Sequence, residues 1–253
     1  MSNYCEIYYA GSCKAPYNWI TTTCIGTNRI IYITGGEGGY DNNGVKTPFK
    51  KDCIYLIPGS AYFVSTYTSY KSDETRLDHI YANFEIIPPI ISKEVLCIDS
   101  FDDEEIRVAV ETFKVLCTQS ALSHGYVNLN PASQSYLKST VKFLADKIAE
   151  KYNRESVKDK VILKALTLMH ENLGKKQLIS EIASECYLST NGFIRRFKKE
   201  IGETPYSYLK KLKVRTAQNM RMSGATLDEI AEKCGYSDSS ALLHAIGKNK
   251  ISP

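Results

Sequence analysis

Residues 182–189 read Ile-Ala-Ser-Glu-Cys-Tyr-Leu-Ser, and residues 230–237 read Ile-Ala-Glu-Lys-Cys-Gly-Tyr-Ser, the same unit 48 positions further on. Around each copy, over 178–205 and 226–253, a short amphipathic helix is expected to pass through a turn into a Ser cap and a second helix. Both copies close near a proline, at Thr204-Pro205 and Ser252-Pro253. Helix, tight turn and capped second helix make up the unit that lays a helix in a DNA major groove. Two such units in one chain predict a reader of two groove segments rather than a catalyst.

The charge distribution agrees with this division. The net charge of +4 is uneven: residues 1–156 carry 15 Lys+Arg against 18 Asp+Glu, and residues 157–253 carry 17 against 10. A basic back behind a slightly acidic front confines polyanion binding to the C-terminal part. The start, Met1 to Glu6, has neither a basic nor an apolar leader region, and no apolar run approaches a membrane span. Eight scattered cysteines without a C-x-x-C pair are read as reduced core residues of a cytoplasmic protein.

The first hundred residues have strand character. Arg29–Thr34, Ile54–Ile57, Tyr62–Tyr67 and His79–Ile86 are β-rich, and Asp41-Asn42-Asn43-Gly44 is a hairpin signal. Gly35-Gly36-Glu37-Gly38-Gly39 lacks the Lys-Ser/Thr of a phosphate loop, and tight turning between strands is its expected use. Many short strands predict an antiparallel sandwich or small barrel. Beyond residue 100 the period becomes helical. Ile106, Val110, Phe113 and Cys117 share one face; Leu137, Val141, Leu144, Ile148 and Tyr152 share another. These helices, 102–118 and 132–152, suit either packing within the chain or a homodimer interface. Lys151–Lys160 is the expected linker, and a helix over 162–172 stopped by Gly174 opens the C-terminal domain.

In the first unit Leu178, Ile182 and Cys186 are expected to share a buried face. Ser189 caps the next helix, whose Phe193, Phe197 and Ile201 turn inward and whose stop is Gly202. Thr190, Asn191, Ile194, Arg195 and Lys198 are left on other faces. A guanidinium near the start of an inserted helix, Arg195, matches guanine N7 and O6. Arg196, Lys198, Lys199, Lys210, Lys211, Lys213 and Arg215 are assigned to phosphates, as are the helix-start serines Ser189 and Ser237. In the second unit Ile230, Ala231 and Cys234 mirror the first helix, and Leu242 and Ile246 mirror the Phe pair. Ser239, Ser240, Leu243 and His244 then face outward. His244 is either a base or phosphate donor or a plain surface histidine.

Residues 175–253 resemble the DNA-binding domain of the AraC/XylS family of bacterial transcription regulators. The resemblance rests on Ile182-Ala183, Leu188-Ser189, Phe193-x-x-x-Phe197-Lys198-Lys199, Gly202-x-x-Pro205, Tyr208-Leu209, Ala217, Ile230-Ala231 and Gly235-Tyr236-Ser237-Asp238. It implies a linker helix near Tyr206–Met222 holding the two reading helices one groove segment apart. It also implies base-reading positions at Asn191, Ile194, Arg195, Ser239, Ser240, Leu243 and His244. The front, through Asn28–Ile33, Leu56–Gly59 and His79–Phe84, resembles the family's cupin-like ligand-sensing domain. The chain departs from the pattern at Lys213, where Arg is usual, and at Arg221, where an apolar residue is usual. Its 246–253 segment is one residue shorter, includes Gly247 and ends without the usual closing helix. The second unit is therefore expected to be the weaker reader.

The resulting expectation is an α+β chain of two domains. An N-terminal antiparallel, cupin-like barrel with flanking helices occupies residues 1–152, for ligand sensing and dimerisation. An all-α double helix-turn-helix domain joined by a linker helix occupies 153–253. The expected function is sequence-specific transcription regulation under a small-molecule effector, the rival being a sensor or interaction protein with a degenerate C-terminal unit. No catalytic residues, cofactor or metal are expected, because His79 and His124 stand far apart and no nucleophile–base set is visible. Expected partners are double-stranded DNA, the effector, a second copy and RNA polymerase, with no membrane. Trp19, Tyr32 and Tyr55 are the candidate effector contacts, suited to stacking on a carbohydrate or to plain core packing.

Overall fold

The structure, a computed structural model, describes residues 4–15, 20–22, 27–59, 64–68, 76–90, 92, 94–118, 129–152, 157, 159–175, 178–222 and 224–247. Two compact units emerge. One comprises residues 5–86 and 90–155, the other residues 1–4, 87–89 and 156–253.

The first unit is built on nine strands: β1 (Cys5–Lys14), β2 (Ile20–Thr22), β3 (Asn28–Gly35), β4 (Gly38–Asn42), β5 (Val45–Pro48), β6 (Cys53–Ile57), β7 (Val64–Thr68), β8 (Asp78–Ile86) and β9 (Leu96–Asp99). Every ladder is antiparallel, in a five-stranded sheet β1-β8-β3-β6-β9 and a four-stranded sheet β2-β7-β4-β5. The expected barrel is not closed: among the described strands no ladder joins an edge of one sheet to the other.

The turn chemistry follows the sequence. Asn43 (φ 55°) and Gly44 (φ 85°) form the two-residue loop between β4 and β5, both in the left-handed region such a turn demands. Gly36 has φ +83°, and a Cβ there would lie 1.9 Å from the Arg76 carbonyl oxygen, so the glycine cluster serves close backbone approach.

Period-2 alternation gives the five-stranded sheet two apolar faces. On one, Ile30, Tyr32, Ile54, Leu56, Ile80, Ala82 and Phe84 pack with α1 (Glu104–Thr118) and α2 (Pro131–Lys151). These helices contribute Ile106, Val110, Phe113, Leu137, Val141, Leu144 and Ile148, the residues expected from helical spacing. On the other face Ile31, Ile33, Tyr55, Ile57 and Leu77 meet Tyr40 and Phe49. Each fully buried side chain of this size contributes roughly 1.5–3 kcal/mol. Tyr152 departs from the predicted seam. It caps α2 at 39% exposure, and its hydroxyl donates to the Cys97 carbonyl (2.7 Å) and accepts from the Cys97 N–H (3.2 Å).

The second unit holds α3 (Lys160–Glu171), α4 (Ile179–Glu185), α5 (Thr190–Ile201), α6 (Pro205–Met222), α7 (Leu227–Cys234) and α8 (Ser239–Gly247). One apolar cluster joins Ile162, Leu166, Met169, Ile182, Phe193, Phe197, Tyr208 and Leu212; a smaller one joins Ala217, Ile230, Ala231, Cys234 and Leu242. Ile87 belongs to the larger cluster, and its N–H donates to the Tyr4 carbonyl (3.1 Å). The Tyr4 ring meets His170 edge-on at 5.0 Å. His170 is buried and joined to the Tyr208 hydroxyl at 2.8 Å. Of the eight cysteines, the seven described are free thiols, five of them buried. No helix among the described residues is long and apolar enough to cross a membrane.

Candidate nucleic-acid interface

The first unit is helix α4, a four-residue connection (residues 186–189) and helix α5. Leu178 was expected on the buried face, but it occupies the N-cap position at 48% exposure. Because α4 starts one residue later, Ile179 takes the inner place with Ile182, Ala183 and Cys186. The turn places Tyr187 at φ 58° and leaves it 91% exposed. Ser189 then caps α5, its Oγ accepting the Gly192 N–H at 3.2 Å. Phe193 and Phe197 are fully buried with ring centroids 5.6 Å apart, and Phe197 stands edge-on to Tyr208 at the same separation. Gly202, at φ 88°, ends the helix as the stop signal predicts.

That burial decides which side chains α5 offers outward. Asn191, Arg195, Lys198 and Lys199 are exposed, whereas Ile194 is half-buried against the core. Arg195, Lys198, Lys199 and, on α6, Lys210 form no ion pair among the described residues, so their charge is available to a polyanion. Arg196 differs. Its Nε and Nη2 donate to Asp159 Oδ2 (2.5 Å) and Oδ1 (3.0 Å). Asp159 also caps α3, accepting from the N–H groups of Val161 and Ile162. Burial by itself would raise the Asp159 carboxyl, but Arg196 and the two N–H groups outweigh it and hold the group below its ordinary range. Arg196 thus serves a structural pair before any phosphate. Lys211 is likewise engaged, with Glu203 at 2.8 Å.

Lys213 is half-buried, and burial lowers its pKa; its Nζ lies over the Tyr236 ring at 5.4 Å. It lines a groove with Leu178, Ile179, Tyr206, Leu209, Lys210 and Tyr236. Arg215 is half-buried on the same linker helix. Arg221, whose position raised a packing question, is exposed and disturbs no core.

The second unit repeats the plan with one slip. Thr226 and Glu229 form a capping box at the start of α7, and Gly235 (φ 68°) makes the turn in the place of Tyr187. The cap of α8 is not Ser237. Asp238 Oδ1 accepts the Ala241 N–H at 2.7 Å, and Ser237 Oγ donates to Asp238 Oδ2 at 3.0 Å. Four residues separate the helices in both units, but α7 is one residue longer than α4, and the offset between copies passes from 48 at Ile182/Ile230 to 49 at Phe193/Leu242. These contacts hold the Asp238 carboxyl below its ordinary range, chiefly through the Ala241 N–H. A negative cap at the helix start opposes an incoming phosphate, whereas the Ser189 cap does not. Ser240, Leu243 and His244 are exposed, Ser239 is half-buried, and α8 ends at Gly247.

Linker helix α6 carries both units. Backbone also meets backbone between them: a Cβ on Gly235 would lie 2.8 Å from the Gly174 carbonyl oxygen, and one on Gly174 would lie 3.0 Å from that of Glu232. Gly174 is thus a contact point rather than the helix stop, since Asn172 caps α3.

The effector residues do not converge. Tyr32 faces the helices, its hydroxyl on Asp52 at 2.9 Å, while Tyr55 lies on the opposite face and accepts the Lys50 N–H at 2.7 Å. The register pairs Ile31 with Tyr55 and Tyr32 with Ile54, so one pocket cannot use both rings. Trp19 lies outside the described residues. Sequence reading passed over the polar set Tyr9, Arg29 and Asn83, although an arginine inside the run Asn28–Thr34 was a visible signal.

Comparison with known proteins bears on the same elements. A helix-turn-helix domain model matches residues 182–250. An AraC-like transcription regulator of Streptomyces antibioticus is 34% identical over 85 residues, 33% of this chain and 28% of that protein. The chain thus spans under a third of that relative's length. "Probable transcriptional regulator LumQ" of Photobacterium leiognathi is 20% identical over 193 residues, 76% of each chain. The crystal structure of ToxT from Vibrio cholerae superposes over 96% of this chain and 92% of its own, with a TM-score of 0.56 at 13% identity. A β domain followed by a helical helix-turn-helix domain is the fold this chain shares with ToxT. With its paired units on one linker helix, the C-terminal domain is similar to the DNA-binding domains of AraC-like transcription regulators.

Proposed function

We propose that the chain is a sequence-specific DNA-binding transcription regulator in which α5 is the principal reading helix. The observation that carries this reading is the Ser-capped α5, with Arg195, Lys198 and Lys199 exposed and unpaired among the described residues. Asn191, Ile194 and Arg195 read base edges, and Ser239, Ser240, Leu243 and His244 add a weaker second contact. Ser189, Lys198, Lys199, Lys210, Lys213, Arg215 and Ser237 serve phosphates, whereas Arg196 and Lys211 stay in their intrachain pairs with Asp159 and Glu203.

The domain of residues 1–152 acts as a cupin-like sensor of a small molecule. ToxT, which shares the fold, has been solved with an unsaturated fatty acid bound, which supports an effector for this chain. The same domain pairs two copies through α1 and α2. Val108, Val115 and Tyr136 are 57%, 52% and 58% exposed there, and Val108, Tyr136 and Phe143 line one groove. For regulation, the effector must bind one arrangement of the protein better than another.

A gel-shift titration on DNA upstream of the neighbouring genes, with scrambled DNA as competitor, tests the reading. Preference for a defined site over scrambled sequence is the expected result. Equal affinity for both, or none, overturns it.

A further inference from the structure

Tyr206, Leu209, Lys210 and Lys213 stand at i, i+3, i+4 and i+7 along linker helix α6 and so share one stripe. Together with Leu178 and Tyr236 they line a groove of about 330 Å³. Leu178 belongs to the start of α4, in the first helix-turn-helix unit, and Tyr236 to the turn of the second. The groove therefore touches both reading units. Tyr206 is 59% exposed and Leu178 and Lys210 are exposed beside it, so its rim is open to solvent.

Two observations set this groove apart from a plain seam between helices. The first is Leu178 itself. It occupies the N-cap position of α4, where a leucine side chain has no acceptor for the free N–H groups of the first turn. Ser189 and Thr226 supply that acceptor to α5 and α7. The chain thus forgoes a cap and keeps a large apolar side chain in water. The second is charge. Lys210 and Lys213 form no ion pair among the described residues, and no Asp or Glu lines the groove. Glu181, further along α4, accepts the Leu178 N–H at 3.2 Å. Lys213 is half-buried even so, over the Tyr236 ring at 5.4 Å; burial lowers its pKa, and no carboxylate acts on it.

The lining decides the occupant. Exposed apolar anchors beside cations without partners suit a segment that carries an aromatic or leucine side chain between carboxylates. Leu178, Tyr206 and Leu209 would take the apolar anchor, and Lys210 and Lys213 the acids. A small molecule suits it less, because the volume lies at the foot of the roughly 300–1,000 Å³ of enclosed ligand clefts. No Asn, Gln, Asp or Glu lines it to read the edge of a nucleotide base.

We propose that this groove docks an acidic segment of a partner protein, anchored by an aromatic or leucine side chain. Lys210 and Lys213 are also the side chains assigned above to phosphates, so the partner and DNA compete for them. That competition rests on the function proposed above; the docking does not.

The test is a fluorescence anisotropy titration of the full chain with a labelled peptide, Asp-Asp-Glu-Phe-Asp-Asp-Leu-Glu. Its controls are the same peptide with Phe and Leu replaced by Ser, the same peptide with every acid replaced by Lys, and ATP as competitor. Saturable binding of the acidic peptide is expected, about tenfold or more weaker without its apolar anchors and absent for the basic version. Lys210→Glu and Leu178→Ser should each weaken it about tenfold or more. Leu178→Ser should unfold no earlier than the wild type, because serine supplies the missing cap. No saturable binding, equal binding of the Ser-substituted or basic peptide, displacement by equimolar ATP, or undiminished binding in both variants overturns the proposal. The peptide comparison on the wild type decides the matter even if a variant fails to fold. A gel shift on the same preparation separates the two claims. Operator binding without peptide binding sinks the docking alone, and peptide binding that leaves operator affinity unchanged sinks only the phosphate role of Lys210 and Lys213.

Discussion

Replacing Gly235 by alanine should cost far more than the same change at Gly202, although both glycines end a helix in the left-handed region. Their φ values are 68° and 88°. A left-handed alanine costs about 1–2 kcal/mol, offset by about 0.4–1 kcal/mol from the stiffer unfolded chain. A Cβ at Gly202 meets nothing within 4 Å, so Gly202→Ala should lose only about 1 kcal/mol. At Gly235 the Cβ would stand 2.8 Å from the Gly174 oxygen, 3.0 Å from its carbon and 3.1 Å from the Leu173 oxygen. All three are backbone atoms, with no flexible tip to yield, so overpacking adds about 1–3 kcal/mol. Urea unfolding followed at the helical circular dichroism band measures both variants. Gly235→Ala should fall below Gly202→Ala by about 1–3 kcal/mol. It should also weaken DNA binding more, because the clash drives the two units apart. Losses equal within about 0.5 kcal/mol would refute the close approach of 174 and 235.

Three further outcomes follow from the buried histidines, the Arg196–Asp159 pair and the turn. His79 and His170 are each pulled down to about 3, by burial in both cases and by the charge of Arg29 as well at His79. The unfolded chain takes up these protons near pH 6.5, so stability is full above that pH. It falls as pH drops from about 6.5 towards 3, by up to about 1.4 kcal/mol per pH unit for each histidine; His170→Gln should remove one share of the slope in a pH series of urea melts. Arg196→Ala should lower the Tm while leaving the salt dependence of DNA binding unchanged, because its charge is spent on Asp159. A loss of salt slope in that variant would return Arg196 to the phosphates. Tyr187→Gly should leave stability equal or higher by up to about 1 kcal/mol, since it relieves a left-handed φ. Clear destabilisation would mean that the exposed ring packs on something the fold needs.

What was legible in the sequence was local. The spacing of Phe193 and Phe197, the Ser189 cap and the Gly202 stop lie within one helix, and the structure places each as read. The α1 and α2 seams were equally readable until Tyr152, where the helix ends and the ring swings out to Cys97. What escaped depends on residues far apart. Asp159 claims Arg196 from 37 positions away, and Arg29 finds Asn83 across 54. Tyr32 and Tyr55 look equivalent as aromatics on neighbouring strands, but register parity sends them to opposite faces. The second cap slipped because Asp238, adjacent to Ser237, is the stronger acceptor for the α8 start. The slip does mark the apolar pattern, since Leu242 and Ile246 stand 49 positions beyond Phe193 and Phe197 while Ile230 stands 48 beyond Ile182.

The central claim is that α5, through Arg195, carries most of the DNA reading. Its most direct test is an anisotropy titration of operator and scrambled DNA at several salt concentrations, with wild type, Arg195→Ala, His244→Ala and Lys199→Ala. Log affinity should fall by about 0.9 per log unit of salt for each phosphate contacted, and Lys199→Ala should flatten that slope on all sequences alike. Arg195→Ala should lose about 1–3 kcal/mol of preference for the operator, and His244→Ala less. Binding independent of salt, or a larger loss of preference in His244→Ala than in Arg195→Ala, would contradict the account.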